Sequence, residues 1–263
     1  MTGLDLTHLA RLAEDAARAG GAVVSAGFGG ASNNIREKAA GDWVSDVDTA
    51  SEVAVRDVLA AGAPGIAFFG EESGGERAPL GWLVDPLDGT ANFLHGLPAV
   101  GVSVGLVQDG EPVVGVVHAP LLGDTYVATR GGGATGNGVP LSVSARAPHQ
   151  AIPATGFPFR RKDRVESYLA VFAAAFSAVE DMRRVGAASL DLAWTAAGVF
   201  DGFFELGLGP WDVAAGALLV REAGGVVTDW VGDPEAWLVS GNILAAPAAV
   251  HACLLGITGV AGF

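Results

Sequence analysis

The run Trp82-Leu83-Val84-Asp85-Pro86-Leu87-Asp88-Gly89-Thr90-Ala91-Asn92-Phe93 constrains this chain more than any other stretch, because it ends a strand on two carboxylates. Trp82, Leu83 and Val84 are apolar and favour β structure, Pro86 has no N–H for a ladder, and Gly89 permits a tight bend. A turn at Asp85 is therefore predicted. It would set Asp85, Asp88 and the Leu87 carbonyl on one side, an oxygen-rich concavity suited to a hard cation such as Mg²⁺. Free N–H groups at Gly89 and Thr90 would point outward to a phosphate if a helix begins there. The same turn would also serve if both Asp residues only capped backbone groups.

The other segments repeat the theme of structure emptying into acid. Leu6, Leu9, Ala13, Ala16, Ala17, Gly20 and Val24 share a helical face, which predicts a first helix from about Asp5 to Ala26. Thr49-Ala50-Ser51-Glu52 fits a Ser/Thr-x-x-Glu capping box opening a second helix that runs to about Ala61, with Asp48 at its entrance. N-capping alone would account for Asp48. The short run Ile66-Ala67-Phe68-Phe69 reads as a strand ending in Gly70-Glu71-Glu72. If it neighbours the central strand, Glu71 and Asp85 can bind one ion together.

Beyond Phe93, Val100, Val102, Val104 and Leu106 alternate with Gly101, Ser103 and Gly105, a strand with one bulky and one small face. Asp109-Gly110 is a hairpin turn, and a meander follows through Val113–His118 and Tyr126–Ala128. Gly131-Gly132-Gly133 and Gly136-Asn137-Gly138 lack nucleotide-loop spacing and read as turns. The first half, residues 1–145, is thus two helices on a largely antiparallel sheet. After a Ser-, Ala- and Pro-rich stretch from Pro140 to Pro153, residues 146–263 alternate helix and strand, which predicts a layered α/β half. Its elements are helices near Val165–Val179 and Ser189–Gly198, a strand Gly202–Leu206, and a helix Trp211–Ala223 that Asp212 begins and Gly224-Gly225 ends.

Charge narrows the function classes. The 263 residues carry a formal net charge of −14, which argues against a nucleic-acid partner, since a phosphate backbone needs a basic face. A phosphate substrate would have to depend on bound cations that reverse the sign locally. No apolar run reaches the ~18 residues of a membrane span, and Asp5, Glu14 and Asp15 occupy the N-terminal region, so no membrane association and a cytoplasmic location are expected. The single cysteine, Cys253, excludes an internal disulfide and reads as a small buried filler. His8, His95, His118, His149 and His251 show no ligand spacing.

Taken together, Gly70-Glu71-Glu72, Asp85-Pro86-Leu87-Asp88-Gly89-Thr90, Trp211-Asp212-Val213-Ala214-Ala215-Gly216 and Glu222-Ala223-Gly224-Gly225 resemble the inositol monophosphatase family, in the superfamily of metal-dependent, lithium-sensitive sugar phosphatases. The resemblance implies a five-layer αβαβα sandwich (α/β or α+β class) of the inositol monophosphatase/fructose-1,6-bisphosphatase type. It also implies a homodimer acting on a small-molecule phosphate monoester. Carried over residue by residue, Glu71, Asp85 and the Leu87 carbonyl correspond to the ligands of a first Mg²⁺. Asp85, Asp88 and Asp212 correspond to those of a second. Glu71 and Thr90 match residues that orient the attacking water, with Asp48 supporting them through a water or a third metal. Glu72 would lie behind the ligands, and Lys38 would help hold the metal loop.

By the same resemblance, Asp88, Gly89, Thr90 and Asp212 would meet the phosphate ester, and the Gly186-Ala187-Ala188 segment would cradle a polyol. Glu205 would accept from its ring hydroxyls, although a charged residue ending an edge strand needs no such role. Inositol-1-phosphate is the expected substrate. Fructose-1,6-bisphosphate is the nearest rival and would call on Arg160, Arg161, Lys162, Arg183 and Arg184 for its second phosphate. Histidinol phosphate, a 3′-phosphonucleotide, a non-catalytic binding role and a metal-free glycosidase are the further alternatives. Two departures stand out: a short Glu72-to-Trp82 connection, and His118 where the family often has another polar residue.

Overall fold

The computed structural model describes residues 3–30, 34–39, 42–158 and 162–259. The chain opens with helix α1 (Leu6–Gly27), whose N-terminus is capped by the Asp5 side chain accepting from the His8 N–H at 3.0 Å. A two-stranded flap, β1 (Arg36–Ala39) and β2 (Asp42–Val44), leads into helix α2 (Asp46–Gly62). The predicted capping box at Thr49–Glu52 is not the one used. Ser45 caps α2, accepting from the Val47 N–H at 3.2 Å while Asp48 reaches back to the Ser45 N–H at 2.8 Å. A complete box one turn earlier satisfies the helix's first amides and leaves Glu52 free for other work.

An eight-stranded sheet follows, in the order β10-β9-β8-β7-β6-β5-β3-β4. Its strands are β3 (Ala67–Gly70), β4 (Gly74–Gly75), β5 (Leu80–Asp88), β6 (Gly101–Gln108), β7 (Glu111–Ala119), β8 (Asp124–Thr129), β9 (Gly133–Gly136) and β10 (Val139–Pro140). The short helix α3 (Thr90–Leu94) interrupts the series after β5. The β3–β5 pair is parallel and the remaining pairs are antiparallel. One expectation needs correction: β5 does not stop at Asp85. It runs on to Asp88 through a register shift between Asp85 and Asp88, because a bulge lets an edge of the ladder absorb a proline without an N–H.

The second sheet has four strands, β11 (Ala154–Thr155), β12 (Phe203–Glu205), β13 (Val226–Thr228) and β14 (Ile243–Ala246), ordered β11-β12-β14-β13. Around it lie α4 (Val165–Ala178), α5 (Ala188–Ala196), α6 (Pro210–Glu222), α7 (Trp237–Ser240) and α8 (Ala248–Thr258). Three buried clusters define the layers. The first lies between α1, α2 and the large sheet, the second joins that sheet through α5 and α6 to the small sheet, and the third lies under α4 and α8. The order is αβαβα, as the resemblance implied.

The alternation along β6 explains the layering. Val102, Val104 and Leu106 are fully buried in the first cluster, each contributing about 1.5–3 kcal/mol. The opposite, small face admits the middle helices: a Cβ at Gly105 would lie 3.0 Å from Ala214 Cβ, and one at Gly115 would lie 2.6 Å from the Ala215 carbonyl oxygen. Helix α6 therefore lies almost directly on the strands, and its first turn reaches the C-terminal end of β5. Cys253 on α8 is only half-buried, so it is not the fully enclosed filler expected.

Candidate active site

Three chain segments deliver the acids. In the parallel β3–β5 pair, Gly70 stands opposite Val84, and the Glu71 N–H donates to the Val84 carbonyl at 3.0 Å. Glu71 and Asp85 leave neighbouring strands side by side. On the other flank of β5, Ser103 stands opposite Asp85, and its hydroxyl donates to the Trp211 carbonyl at 2.9 Å. That bond brings the first turn of α6 to the same corner. Asp212 sits at its third helical position, its carboxylate accepting from the Gly209 N–H at 2.7 Å. A stack of Phe69 on Trp211, with ring centroids 5.8 Å apart, packs the two segments together. One carboxylate oxygen each from Glu71, Asp85 and Asp212 lies within 4.8 Å of the other two.

These residues line a cavity of about 280 Å³ with Leu87, Asp88, Gly89, Thr90, Gly186, Ala188 and Glu205. Gly89 takes φ +86, a left-handed conformation that glycine adopts at least cost and that turns β5 into α3. Asp88 has a second duty: its Oδ2 accepts from the Ser189 N–H at 2.7 Å and the Ser189 hydroxyl at 2.5 Å, capping α5. Helix α5 is thereby fastened to the end of β5 at Asp88, and Gly186 and Ala188 beside it line the cavity. Ala187 is buried behind Gly89 rather than in that wall. Glu205, ending β12, completes the lining.

Asp48 stands outside the cavity wall but touches it through Thr90. The Thr90 hydroxyl lies 2.9 Å from Asp48 Oδ1 and 3.0 Å from the Leu87 carbonyl, with a single proton to share between those two acceptors. Asp48 is therefore both part of the α2 capping box and a support for Thr90. Glu72 faces a neighbouring groove with Arg36, Glu52 and Arg56. Lys38 falls within β1. Of the cations offered for a second phosphate, Arg184 lines the cavity, Arg183 pairs with Asp181, and Arg160 and Arg161 lie outside the described residues.

The electrostatics fit a cation. Burial pushes the Asp85 carboxyl well above the ordinary range, and the charges of Glu71, Asp88 and Asp212 add to the effect. Asp88 is pushed up to about 6, mainly by burial, against the opposing pull of its bonds from Ser189. Asp48 is raised for the same first cause. Buried acids that repel one another are an unfavourable arrangement until a divalent ion neutralises them, and an all-oxygen donor set suits a hard one. His118, by contrast, is scaffold. Its ring bonds to the Thr125 hydroxyl at 2.9 Å and packs under Gly21 of α1.

Reading the residues alone misses three members of the wall. Trp43 in β2, Ala91 and Leu208 all line the cavity. Trp43 is 40% exposed, unusual for a tryptophan, and stands on the flap that leads into α2. That setting was visible in Gly41–Asp48, but nothing in the segment said which way the ring would face.

A family profile described as "Inositol monophosphatase family" matches residues 5–259. The chain belongs to the inositol monophosphatase family. Among solved structures, it is similar to the extragenic suppressor protein suhB of Bartonella henselae (36% identity, TM-score 0.89, covering 96% of this chain and 98% of that one). It is also similar to inositol monophosphatase from Anabaena (34% identity, TM-score 0.87, covering 97% and 96%). Among curated relatives, Nus factor SuhB of Escherichia coli K12 is 44% identical over 223 residues, 83% of each chain. This inositol monophosphatase family member thus shares the mixed α/β fold of its relatives. Relatives named as Nus factors give no support to the charge-based expectation that nucleic acid is excluded as a partner. No helix among the described residues is long and apolar enough to cross a membrane.

Proposed function

We propose that this chain is a Mg²⁺-dependent phosphomonoesterase that hydrolyses inositol-1-phosphate to inositol and phosphate, working as a homodimer in the cytoplasm. The observation that carries the reading is the convergence of Glu71, Asp85 and Asp212 from three distant segments on one cavity. With the Leu87 carbonyl and Asp88, they would hold two Mg²⁺ ions, and Asp48 leaves scope for a third. Bound there, divalent ions would offset the charge of the phosphate and acidify a water.

The protein's own groups then do the positioning. Glu71 and Thr90 orient the attacking water, since the Thr90 proton is engaged by Asp48 or Leu87 and its oxygen is left to accept. The amides of Gly89 and Thr90 hold the phosphate, beside Asp88 and Asp212. Gly186 and Ala188 keep the polyol side small, and Glu205 accepts from its hydroxyls. Arg184 at the wall is the one described cation there that could favour a second phosphate, which makes fructose-1,6-bisphosphate the rival substrate.

Phosphate release from inositol-1-phosphate and from fructose-1,6-bisphosphate, each with and without Mg²⁺ and with added Li⁺, tests the reading. Mg²⁺-dependent, Li⁺-inhibited release from inositol-1-phosphate is expected. Faster release from the bisphosphate overturns the substrate, and release that survives a chelator overturns the metal. The Nus factor names of the relatives favour a second reading, a partner-binding role on the same fold. Absence of turnover on any phosphate ester in the panel would point there.

A further inference from the structure

Helix α2 reaches the site at more than its N-terminus. Asp48, Ser51 and Glu52 are all buried, and their spacing puts them on one face of the helix. Asp48 accepts from Thr90. The Ser51 hydroxyl donates to the Pro86 carbonyl, in the bulge between Asp85 and Asp88, at 2.8 Å. Glu52 uses both oxygens on the turn after Glu71: Oε2 accepts from the Glu72 N–H at 2.8 Å and Oε1 from the Ser73 N–H at 3.0 Å. The capping-box pattern that singled out Glu52 is not used as a cap, so the residue is free for this bond pair.

We propose that Glu52 is a positioning residue for Glu71, gripping the backbone of the Glu71–Ser73 turn so that the Glu71 carboxylate faces Asp85 and Asp212. The turn has little ladder of its own. Strand β3 ends at Gly70, β4 is two residues long, and the Glu71 N–H is tied to Val84. Two charge-assisted bonds from a rigid helix are therefore the main tether of the next two amides. Gly70 fits the same design: a Cβ there would collide with the Glu52 carboxylate, so the glycine lets that group lie flat against the turn. A partner that orients a ligand without touching the ion typically affects metal affinity ten- to hundred-fold.

The inference rests on Glu71 being a metal ligand, and the experiment separates the two. Glu52→Gln keeps the shape but retains a single acceptor, Gly70→Ala displaces the carboxylate, and Glu71→Gln tests the ligand itself. Mg²⁺ binding by calorimetry and Mn²⁺ binding by electron paramagnetic resonance are measured beside thermal melts of the metal-free proteins. Glu52→Gln and Gly70→Ala are expected to weaken one class of ion roughly ten- to hundred-fold while melting within a few degrees of the parent. Saturating Mg²⁺ should restore kcat with an unchanged KM. Parent-like ion binding in both variants overturns the proposal, as does a loss of binding that only tracks loss of folded protein. If Glu71→Gln also binds ions normally, the ligand reading falls with it. If Glu71→Gln is defective while the other two are not, the positioning role alone is gone.

Discussion

Glu71 and Asp85 stand side by side because Gly70 and Val84, the residues before them, are partners in a parallel strand pair. The register leaves no freedom: a slip of one residue would turn Asp85 to the other face of the sheet. Asp85 is fully enclosed, and its carboxyl is pushed well above the usual range, first by burial and then by Glu71, Asp88 and Asp212. Asp85→Asn should therefore remove turnover, to below about a thousandth of the parent even at saturating Mg²⁺. The metal-free variant should melt a few degrees higher than the metal-free parent, at about 2–4 °C per kcal/mol of relieved repulsion. Retained turnover at saturating Mg²⁺ would refute the assignment of Asp85.

Asp88 sets a pH dependence. Its carboxyl titrates near 6 in the folded chain and near 3.8 as a free side chain, so the folded state binds the proton more tightly. The sign follows: the metal-free protein loses stability as pH rises from about 4 to about 6, and the loss levels off above that. Bound cations work the other way, since they need the deprotonated acid. The stabilisation by Mg²⁺ should accordingly be small at pH 5 and large at pH 7.5. Thermal melts with Mg²⁺ and with a chelator at the two pH values check it, and an equal Mg²⁺ shift at both would contradict it.

Much of this arrangement was legible in the residues, and the failures have local causes. The alternation from Val100 to Leu106 identified both faces of β6, and the acids after Gly70 and Val84 were visible as strand ends. Pro86 and Gly89 suggested a turn, yet β6 goes on pairing with β5 as far as Asp88 and converts the turn into a bulge. Two capping boxes compete in Ser45–Glu52, and sequence alone does not rank them. The chosen one depends on the flap that delivers Ser45 in an extended conformation. The layer order was no product of periodicity, because α5 and α6 are apolar nearly all round and serve two sheets. Leu208 reaches the cavity from a loop without an acidic signature, so nothing marked it, and Trp43 does so from a strand whose pattern gave no direction for the ring.

Glu205 is the acceptor proposed for the substrate side. It ends β12, is only 8% exposed, and lines the same cavity as Gly89 and Thr90. An ionised acceptor that meets a polyol hydroxyl is worth about 1.5–3 kcal/mol. Glu205→Ala should raise KM for inositol-1-phosphate about ten- to hundred-fold with a much smaller change in kcat. Steady-state kinetics give both numbers, and an unchanged KM would remove Glu205 from the substrate site.

Thr90 links the acids to the helix behind them. Its hydroxyl has one proton and two acceptors within reach, Asp48 Oδ1 and the Leu87 carbonyl, so the oxygen itself faces the cavity as an acceptor. Thr90→Val keeps the shape and removes the hydroxyl, which leaves Asp48 without that donor and a water beside Glu71 without a second anchor. Thr90→Ser restores both. The valine variant should lose about a hundred-fold in kcat, the usual cost of a misplaced reacting group, while the serine variant stays within a few-fold of the parent. Mg²⁺ affinity measured by calorimetry should stay close to the parent's in both, because the hydroxyl is assigned to the water and not to the ions. A valine variant that keeps the parent's kcat while the serine variant loses it would show that packing of the Thr90 methyl, rather than its hydroxyl, is what the site requires.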